Sequence, residues 1–199
     1  MKAILYIHGK NGSHLEAEQY KKDCAGFDII GVDYNDYLPW IVQNNILAAY
    51  NNLAEQYTHI SVIANSIGAY FAMHTLQACN IQKALFISPI LNMEKLIVDM
   101  MQWAHVTEKD LFEKKEIETA FGETLSWDFL TYVRQHPILW KIPTDILYAE
   151  NDNLTSRETV DAFVKSHHAN LTIVKNGEHW FHTDEQLACL HTWVQKVIS

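Results

Sequence analysis

The sequence is poor in basic residues and in cysteine, and it contains no long apolar run. Its 199 residues include 15 Lys and Arg against 24 Asp and Glu, which gives a formal net charge of −9. Nucleic acids and anionic membranes are bound by clusters of Lys and Arg, so neither is an expected partner. No segment approaches the roughly 18 to 20 apolar residues of a transmembrane helix, so we expect no membrane span.

The cysteines are too few and too scattered for a disulfide framework. Cys24, Cys79 and Cys189 are odd in number and far apart, which indicates free thiols in a reducing compartment and neither disulfides nor a zinc site. The chain passes from Met1-Lys2 into an apolar segment without a basic region or a cleavage site. This pattern predicts a strand and not a signal peptide. The expected location is therefore cytoplasmic.

What the sequence does contain is an alternation of strand-like and helical segments. With 48% hydrophobic and 20% charged residues it suits one domain with a full core. Continuous apolar or β-branched runs predict strands at 3–8, 27–33, 59–65, 83–88, 144–149 and 170–175. Helical spacing predicts helices at 40–57, 67–79, 156–166 and 183–198. Repeated βα units predict a mainly parallel sheet, in which ligands bind beyond the carboxyl ends of the strands.

The segment 92–140 interrupts this alternation. Its apolar residues have helical spacing, it is rich in aromatics, and it contains no convincing strand. A connection of this length exceeds a simple crossover. We interpret it as a helical cap insertion over the strand ends, within a single domain that spans residues 1–199. One ordinary helix with a longer connection is the alternative.

The third predicted strand and its continuation form the most informative segment. The apolar run 59–65 ends in Asn65-Ser66, and small residues with helical spacing follow. A serine at a sharp strand-to-helix turn presents its hydroxyl above the sheet, beside the N–H groups that open the helix. Such a serine can act as a nucleophile if a histidine and a carboxylate reach it. The alternative is a chance pentapeptide at an ordinary helix start.

An acid and a base follow two later strands. Asp152 comes after the fifth predicted strand and His179 after the sixth. Neighbouring parallel strands bring their carboxyl ends to one edge of the sheet, so we expect these two side chains to meet there. Asp33, at the end of the second strand, is the main alternative acid, and it could also take the place of Asp152. His182 is the alternative base.

These features together resemble the α/β-hydrolase family, over essentially the whole chain. The resemblance rests on motifs that each follow a predicted strand: His8-Gly9, Ala64-x-Ser66-x-Gly68, Asp152 and Gly177-x-His179. The chain looks like a small member that lacks the first two strands of the family. The resemblance implies a three-layer α/β/α sandwich with six strands in the order 2-1-3-4-5-6. Ala64 departs from the usual glycine, and alanine is the smallest replacement.

The resemblance also implies the chemistry of a serine hydrolase. Ser66 would attack a carboxylic ester, His179 would act as the base, and Asp152 would orient the imidazole. The backbone N–H of Ile67 would stabilise the oxyanion because it opens the helix after Ser66. The resemblance implies that the backbone N–H of Lys10 also stabilises the oxyanion, because in the family the residue after His-Gly usually supplies the second N–H group.

The aromatic residues suggest the substrate. Trp103, Trp127 and Trp180 are the candidate pocket residues, and they favour a carboxylesterase acting on small to medium apolar acyl or aryl esters. Amphipathic helices need such residues for packing as well. A thioesterase, a lactonase, a peptidase, or a binding protein that keeps the fold are alternatives. We expect no metal and no cofactor, although a flavodoxin-like chain with a weak phosphate loop at 10–13 is a further alternative.

Overall fold

The computed structural model describes residues 1–198. Its strands are β1 (Lys2–Ile7), β2 (Phe27–Gly31), β3 (His59–Asn65), β4 (Lys83–Ile87), β5 (Glu116–Glu118), β6 (Thr124–Ser126), β7 (Thr144–Asn151) and β8 (Asn170–Glu178). Its α-helices are α1 (Pro39–Ala54), α2 (Ile67–Leu76), α3 (Met93–Trp103), α4 (Glu108–Lys114), α5 (Trp127–Gln135), α6 (Arg157–His167) and α7 (Asp184–Val197). A 3-10 helix (His14–Tyr20), which the sequence analysis did not predict, follows β1.

Six strands form one sheet in the order β2-β1-β3-β4-β7-β8. All five neighbouring pairs are parallel. Counted without the two short strands β5 and β6, this is the order 2-1-3-4-5-6, so the predicted parallel sheet is confirmed. The four inner strands β1, β3, β4 and β7 are buried along most of their length, as expected where helices cover both faces of a sheet.

The two faces of the sheet are buried by different helices. Ile4 and Tyr6 of β1 belong to a buried cluster with Tyr20 of the 3-10 helix and with Trp193 of α7. Leu5, which alternates with them, is equally buried and lies outside that cluster. Helices α1 and α2 pack on each other and also contact β1. This arrangement is a three-layer α/β/α sandwich. The loops that carry Ser66, Asp152 and His179 lie at the carboxyl ends of its strands.

Residues 92–138 form a compact unit of their own, separate from residues 1–91 and 139–198. Within this unit, α3 contacts α5 and β6, and α4 contacts β5. Strands β5 and β6 pair in an antiparallel hairpin, so the prediction of a segment without strands was wrong at 116–126. Each strand has three residues, which is too short for a periodic pattern to reveal. We refer to 92–138 as the insertion.

Trp140, near the predicted end of this segment, belongs to the sheet-containing unit. It is buried, and its indole N–H donates to the hydroxyl of Thr144 at the start of β7, at 2.8 Å. Across residues 1–198, no helix is both long and apolar enough to cross a bilayer.

Candidate active site

Ser66 occupies the sharp turn between β3 and α2. Its backbone has φ 53° and ψ −121°, a positive-φ conformation that costs energy in a residue with a side chain. Three backbone bonds hold it there: its N–H donates to Ile87 O at 3.0 Å, and its carbonyl accepts from Ala69 at 3.1 Å and Ile90 at 3.0 Å. The Ser66 side chain does not cap α2, so its hydroxyl is available to another group.

The first turn of α2 approaches the end of β1 closely. A Cβ built on Gly68 would lie 2.5 Å from the carbonyl oxygens of both Ile7 and His8, which are backbone atoms that cannot yield easily. Only glycine therefore fits at this position. Ala64, by contrast, is a fully buried residue of β3, paired in register with Ile7 on one side and Phe86 on the other. A methyl group is accommodated there without disturbing the sheet.

His179 and Asp152 meet at the Ser66 hydroxyl. Ser66 Oγ lies 2.8 Å from His179 Nε2, and His179 Nδ1 lies 2.7 Å from Asp152 Oδ2. The Asp152 side chain is 0% exposed, and its other oxygen accepts the N–H groups of Leu154 at 2.8 Å and Thr155 at 2.9 Å. Because the carboxylate can only accept, Nδ1 carries the proton and Nε2 presents its lone pair to the serine.

The alternative acid and the alternative base have other partners. The Asp33 side chain is 73% exposed and pairs with His14 at 3.1 Å. The ring of His182 lies 2.9 Å from the carbonyl of Trp180, which follows the candidate base. The structure thus brings Ser66, His179 and Asp152 together, and it places Asp33 and His182 in separate contacts.

The loop after β1 is packed against Ser66. A Cβ on Gly9 would lie 3.2 Å from Ser66 Cβ. The Gly9 carbonyl accepts from the N–H of Gly12 at 3.1 Å and faces His8 Nδ1 at 2.8 Å. The N–H of Lys10 belongs to the same peptide group as that carbonyl, so fixing one end of the planar group fixes the direction of the other. Ile67 opens α2, where backbone N–H groups have no acceptor inside the helix.

His8 and Tyr34 pack against each other and stabilise the loop after β1. The buried His8 ring stacks on the Tyr34 ring at 3.9 Å between centroids, and its Nε2 lies 3.2 Å from the Tyr34 carbonyl. The Tyr34 hydroxyl in turn donates to the His8 carbonyl. Burial raises the pKa of Tyr34 far above its usual range, so the hydroxyl stays protonated as a donor. Sequence reasoning missed Tyr34, although its place directly after the second predicted strand and Asp33 was a usable signal.

The three candidate pocket tryptophans lie in two different units. Trp103 ends α3 and Trp127 begins α5, both in the insertion, where they pair with Phe121 and Phe112 at 6.1 and 5.1 Å between ring centroids. Trp180 lies in the loop after β8 and is 73% exposed. Its ring stacks on His182, so it has a defined orientation beside the candidate base.

Residues 1–198 contain no group of three or more His, Cys, Asp or Glu side chains that could hold a metal ion. The 10–13 segment is not arranged for phosphate. A Glu16 oxygen accepts the N–H of Ser13 at 3.2 Å and would lie 3.0 Å from a Cβ on Gly12. A carboxylate in that position repels an anion.

No family model and no curated protein matches the chain. Among solved structures, Est1E from Butyrivibrio proteoclasticus has a TM-score of 0.74 at 19% identity, covering 98% of this chain and 85% of its own. The mouse α/β hydrolase domain-containing protein 10 has a TM-score of 0.72 at 15% identity, covering 98% and 89%.

A thioesterase domain from the curacin biosynthetic pathway has a TM-score of 0.59 at 14% identity, covering 97% of this chain and 90% of its own. Together, these similarities show that the chain has the α/β-hydrolase fold over nearly its whole length.

Proposed function

We propose that this protein is a serine hydrolase, a carboxylesterase that cleaves small to medium esters through an acyl-enzyme. One observation carries the proposal: Ser66 Oγ lies 2.8 Å from His179 Nε2, and the opposite nitrogen of that ring lies 2.7 Å from Asp152. The buried carboxylate favours the tautomer in which Nε2 accepts the serine proton. Serine is a weak nucleophile alone and needs this activation.

In the first half-reaction, Ser66 Oγ bonds to the ester carbonyl carbon while His179 Nε2 takes the hydroxyl proton. The carbonyl π electrons move to oxygen, and the N–H groups of Ile67 and Lys10 bind the resulting oxyanion. One such donor contributes about 3 kcal/mol to lowering the barrier. The intermediate collapses by breaking the bond to the alcohol oxygen, and that alcohol leaves with the proton from His179.

In the second half-reaction, His179 removes a proton from water, and the water oxygen attacks the acyl carbon. The bond to Ser66 Oγ breaks, His179 returns the proton to it, and the carboxylic acid departs. Asp152 stays ionised throughout and stabilises the transient imidazolium.

The test is covalent labelling with a fluorophosphonate. We expect wild type to be labelled and Ser66→Ala to be neither labelled nor active, with a stability close to that of wild type. Ser166→Ala is the matched control, because Ser166 is an exposed serine of α6 whose hydroxyl bonds only to its own helix and to neighbouring His167. Equal labelling of wild type and Ser66→Ala would overturn the assignment of the nucleophile.

The ester class is tested with p-nitrophenyl esters from acetate to octanoate, together with feruloyl esters. One structure of Est1E contains ferulic acid, an aromatic carboxylic acid, and this supports esters of aromatic acids as part of the panel. Acyl thioesters are also included in the substrate panel, because a thioesterase domain is among the similar structures. Labelling without turnover of any ester would redirect the proposal to thioesters, lactones or peptides. No labelling at all would favour a binding protein that keeps the fold.

Substrate contact by Trp103, Trp127 and Trp180 remains a prediction. We expect alanine substitution of a pocket residue to change the preferred acyl chain length while the rate of fluorophosphonate labelling stays within about tenfold of wild type. An unchanged preference in all three variants would remove these residues from the pocket.

A further inference from the structure

One peptide group joins the nucleophile to the acid loop. Pro89 and Ile90 follow β4, and the carbonyl of Pro89 and the N–H of Ile90 are the two ends of a single planar peptide. The Ile90 N–H donates to the Ser66 carbonyl at 3.0 Å. The Pro89 carbonyl accepts the Thr155 hydroxyl at 2.9 Å. A planar group bonded at both ends transmits the position of one partner to the other.

Thr155 fixes the loop that carries Asp152. Its N–H donates to Asp152 Oδ1 at 2.9 Å, and its carbonyl accepts the Tyr148 hydroxyl at 2.9 Å. Burial raises the pKa of Tyr148, so this hydroxyl remains a donor. With the bond from its hydroxyl to Pro89, the N–H, the carbonyl and the hydroxyl of Thr155 are therefore all hydrogen-bonded. The residue is only 4% exposed.

The Thr155 hydroxyl does not cap the helix that follows it in the chain. Helix α6 begins two residues later and is capped by Ser156, whose side chain accepts from the N–H of Thr159. The Thr155 hydroxyl instead reaches a carbonyl that is 66 positions away in the chain. This bond therefore connects the loop after β7 to the loop after β4, and it does not stabilise the start of α6.

We propose that Thr155 is a positioning residue of the catalytic site. Its hydroxyl, acting through the 89–90 peptide, sets the distance between the Asp152 loop and the Ser66 turn, and so aligns His179 between them. This inference rests on the proposed function. Displacement of a catalytic group by about 1 Å can cost on the order of 100-fold in rate. We expect Thr155→Val, which keeps the shape and the N–H but loses the hydroxyl, to reduce kcat by about 10- to 100-fold with KM unchanged.

Two variants separate positioning from simple destabilisation. Thr155→Ser restores the hydroxyl and should recover most of the wild-type kcat. Thr144→Val is the matched control: Thr144 is the first residue of β7, at the end of that strand remote from the Asp152 loop, is also 4% exposed, and donates a buried bond to the Ile142 carbonyl at 2.8 Å. We expect it to lower Tm and to leave kcat unchanged.

A second readout does not depend on turnover. The His179 Nδ1 proton shared with Asp152 should give a strongly downfield NMR signal in wild type, in Thr155→Ser and in Thr144→Val, and a shifted or broadened signal in Thr155→Val. If wild type is inactive, the proposed function fails, and this signal still decides the role of Thr155. If Thr155→Val does not fold, Tyr148→Phe, which frees the Thr155 carbonyl, should weaken the signal in the same way.

Three results would overturn the inference. The first is a Thr155→Val variant with wild-type kcat and a wild-type downfield signal. The second is a folded Thr155→Ser variant that is as impaired as Thr155→Val. The third is a Thr144→Val variant that loses kcat to the same extent, because the loss would then reflect general destabilisation.

Discussion

Several polar groups around the candidate site, at the carboxyl ends of the main sheet, are buried, whereas the ion-paired side chains of the insertion are partly exposed to solvent. At the sheet, Asp152, His8 and Thr155 are inaccessible to solvent or nearly so, and each is bonded on several sides. In the insertion, Arg134 pairs with Glu94 and Glu108 at the surface, and large aromatics such as Phe112 are half exposed.

This contrast predicts where substitutions have large effects. A buried bond has no water to replace its partner, so the loss of one group leaves another unsatisfied and allows a loop to move. An exposed ion pair competes with water on both sides and constrains little. We therefore expect substitutions in the sheet loops to disturb the geometry of the proposed site more than substitutions at the surface of the insertion.

Among the residues that support Ser66, the largest effect is expected for Asp152→Asn. The amide can donate where the carboxylate could only accept, so the histidine is driven towards the wrong tautomer, and kcat should fall by about 10⁴-fold. Steady-state kinetics with the preferred ester measure this change. Asp33→Asn is the control, because Asp33 is the exposed alternative acid. A greater loss in Asp33→Asn than in Asp152→Asn would reverse the assignment of the acid.

Substituting one glycine in each region by alanine compares the sheet loops with the insertion directly. In Gly68→Ala the new Cβ would lie 2.5 Å from two backbone oxygens, so we expect a loss of about 1 to 3 kcal/mol of stability together with slower labelling of Ser66. Gly122, in the β5–β6 turn, has φ +85° and nothing within 4 Å of a built Cβ. Gly122→Ala should therefore cost only backbone strain, about 1 to 2 kcal/mol, with labelling unaffected. Thermal melts and labelling rates distinguish these outcomes, and slow labelling in Gly122→Ala would contradict them.

Tyr34→Phe should have a smaller effect. It removes the hydroxyl that donates to the His8 carbonyl, a bond worth about 1 kcal/mol, so the rate of Ser66 acylation should fall by roughly two- to tenfold. Tyr57→Phe is the matched control, since its hydroxyl donates to Asp28 at 2.9 Å on the surface. Pre-steady-state acylation measures both variants. Equal rates in Tyr34→Phe and wild type would show that the loop holds its position without Tyr34.

The sequence predicted the features that depend on local pattern. The apolar strands, the turn at Ser66 and the loops with Asp152 and His179 each leave a signal within a few residues, and the parallel sheet follows from their alternation with helices. The bond from Thr155 to Pro89 has no such signal, because it joins positions 66 apart through tertiary packing. The β5–β6 hairpin was missed for a different reason. Glu116-Ile117-Glu118 alternates only once, and this also fits a helix end or a loop.

The smallest effect is expected at the surface of the insertion. The Arg134 hydrogen bonds hold the pKa of Glu108 below its ordinary value of 4.5. A carboxylate with a lowered folded-state pKa stabilises the fold above that ordinary value, and the contribution is lost as pH falls through the folded-state pKa. Arg134→Met should therefore reduce stability at neutral pH by less than about 1 kcal/mol and have a weaker effect at a second, acidic pH well below 4.5. The same substitution at Arg157, whose ion pair with Asp161 lies in α6, is the control for losing a surface charge. Thermal melts at the two pH values measure the difference, and labelling of Ser66 should be unchanged; slower labelling in Arg134→Met would show that the insertion, and not only the sheet loops, sets the geometry of the site.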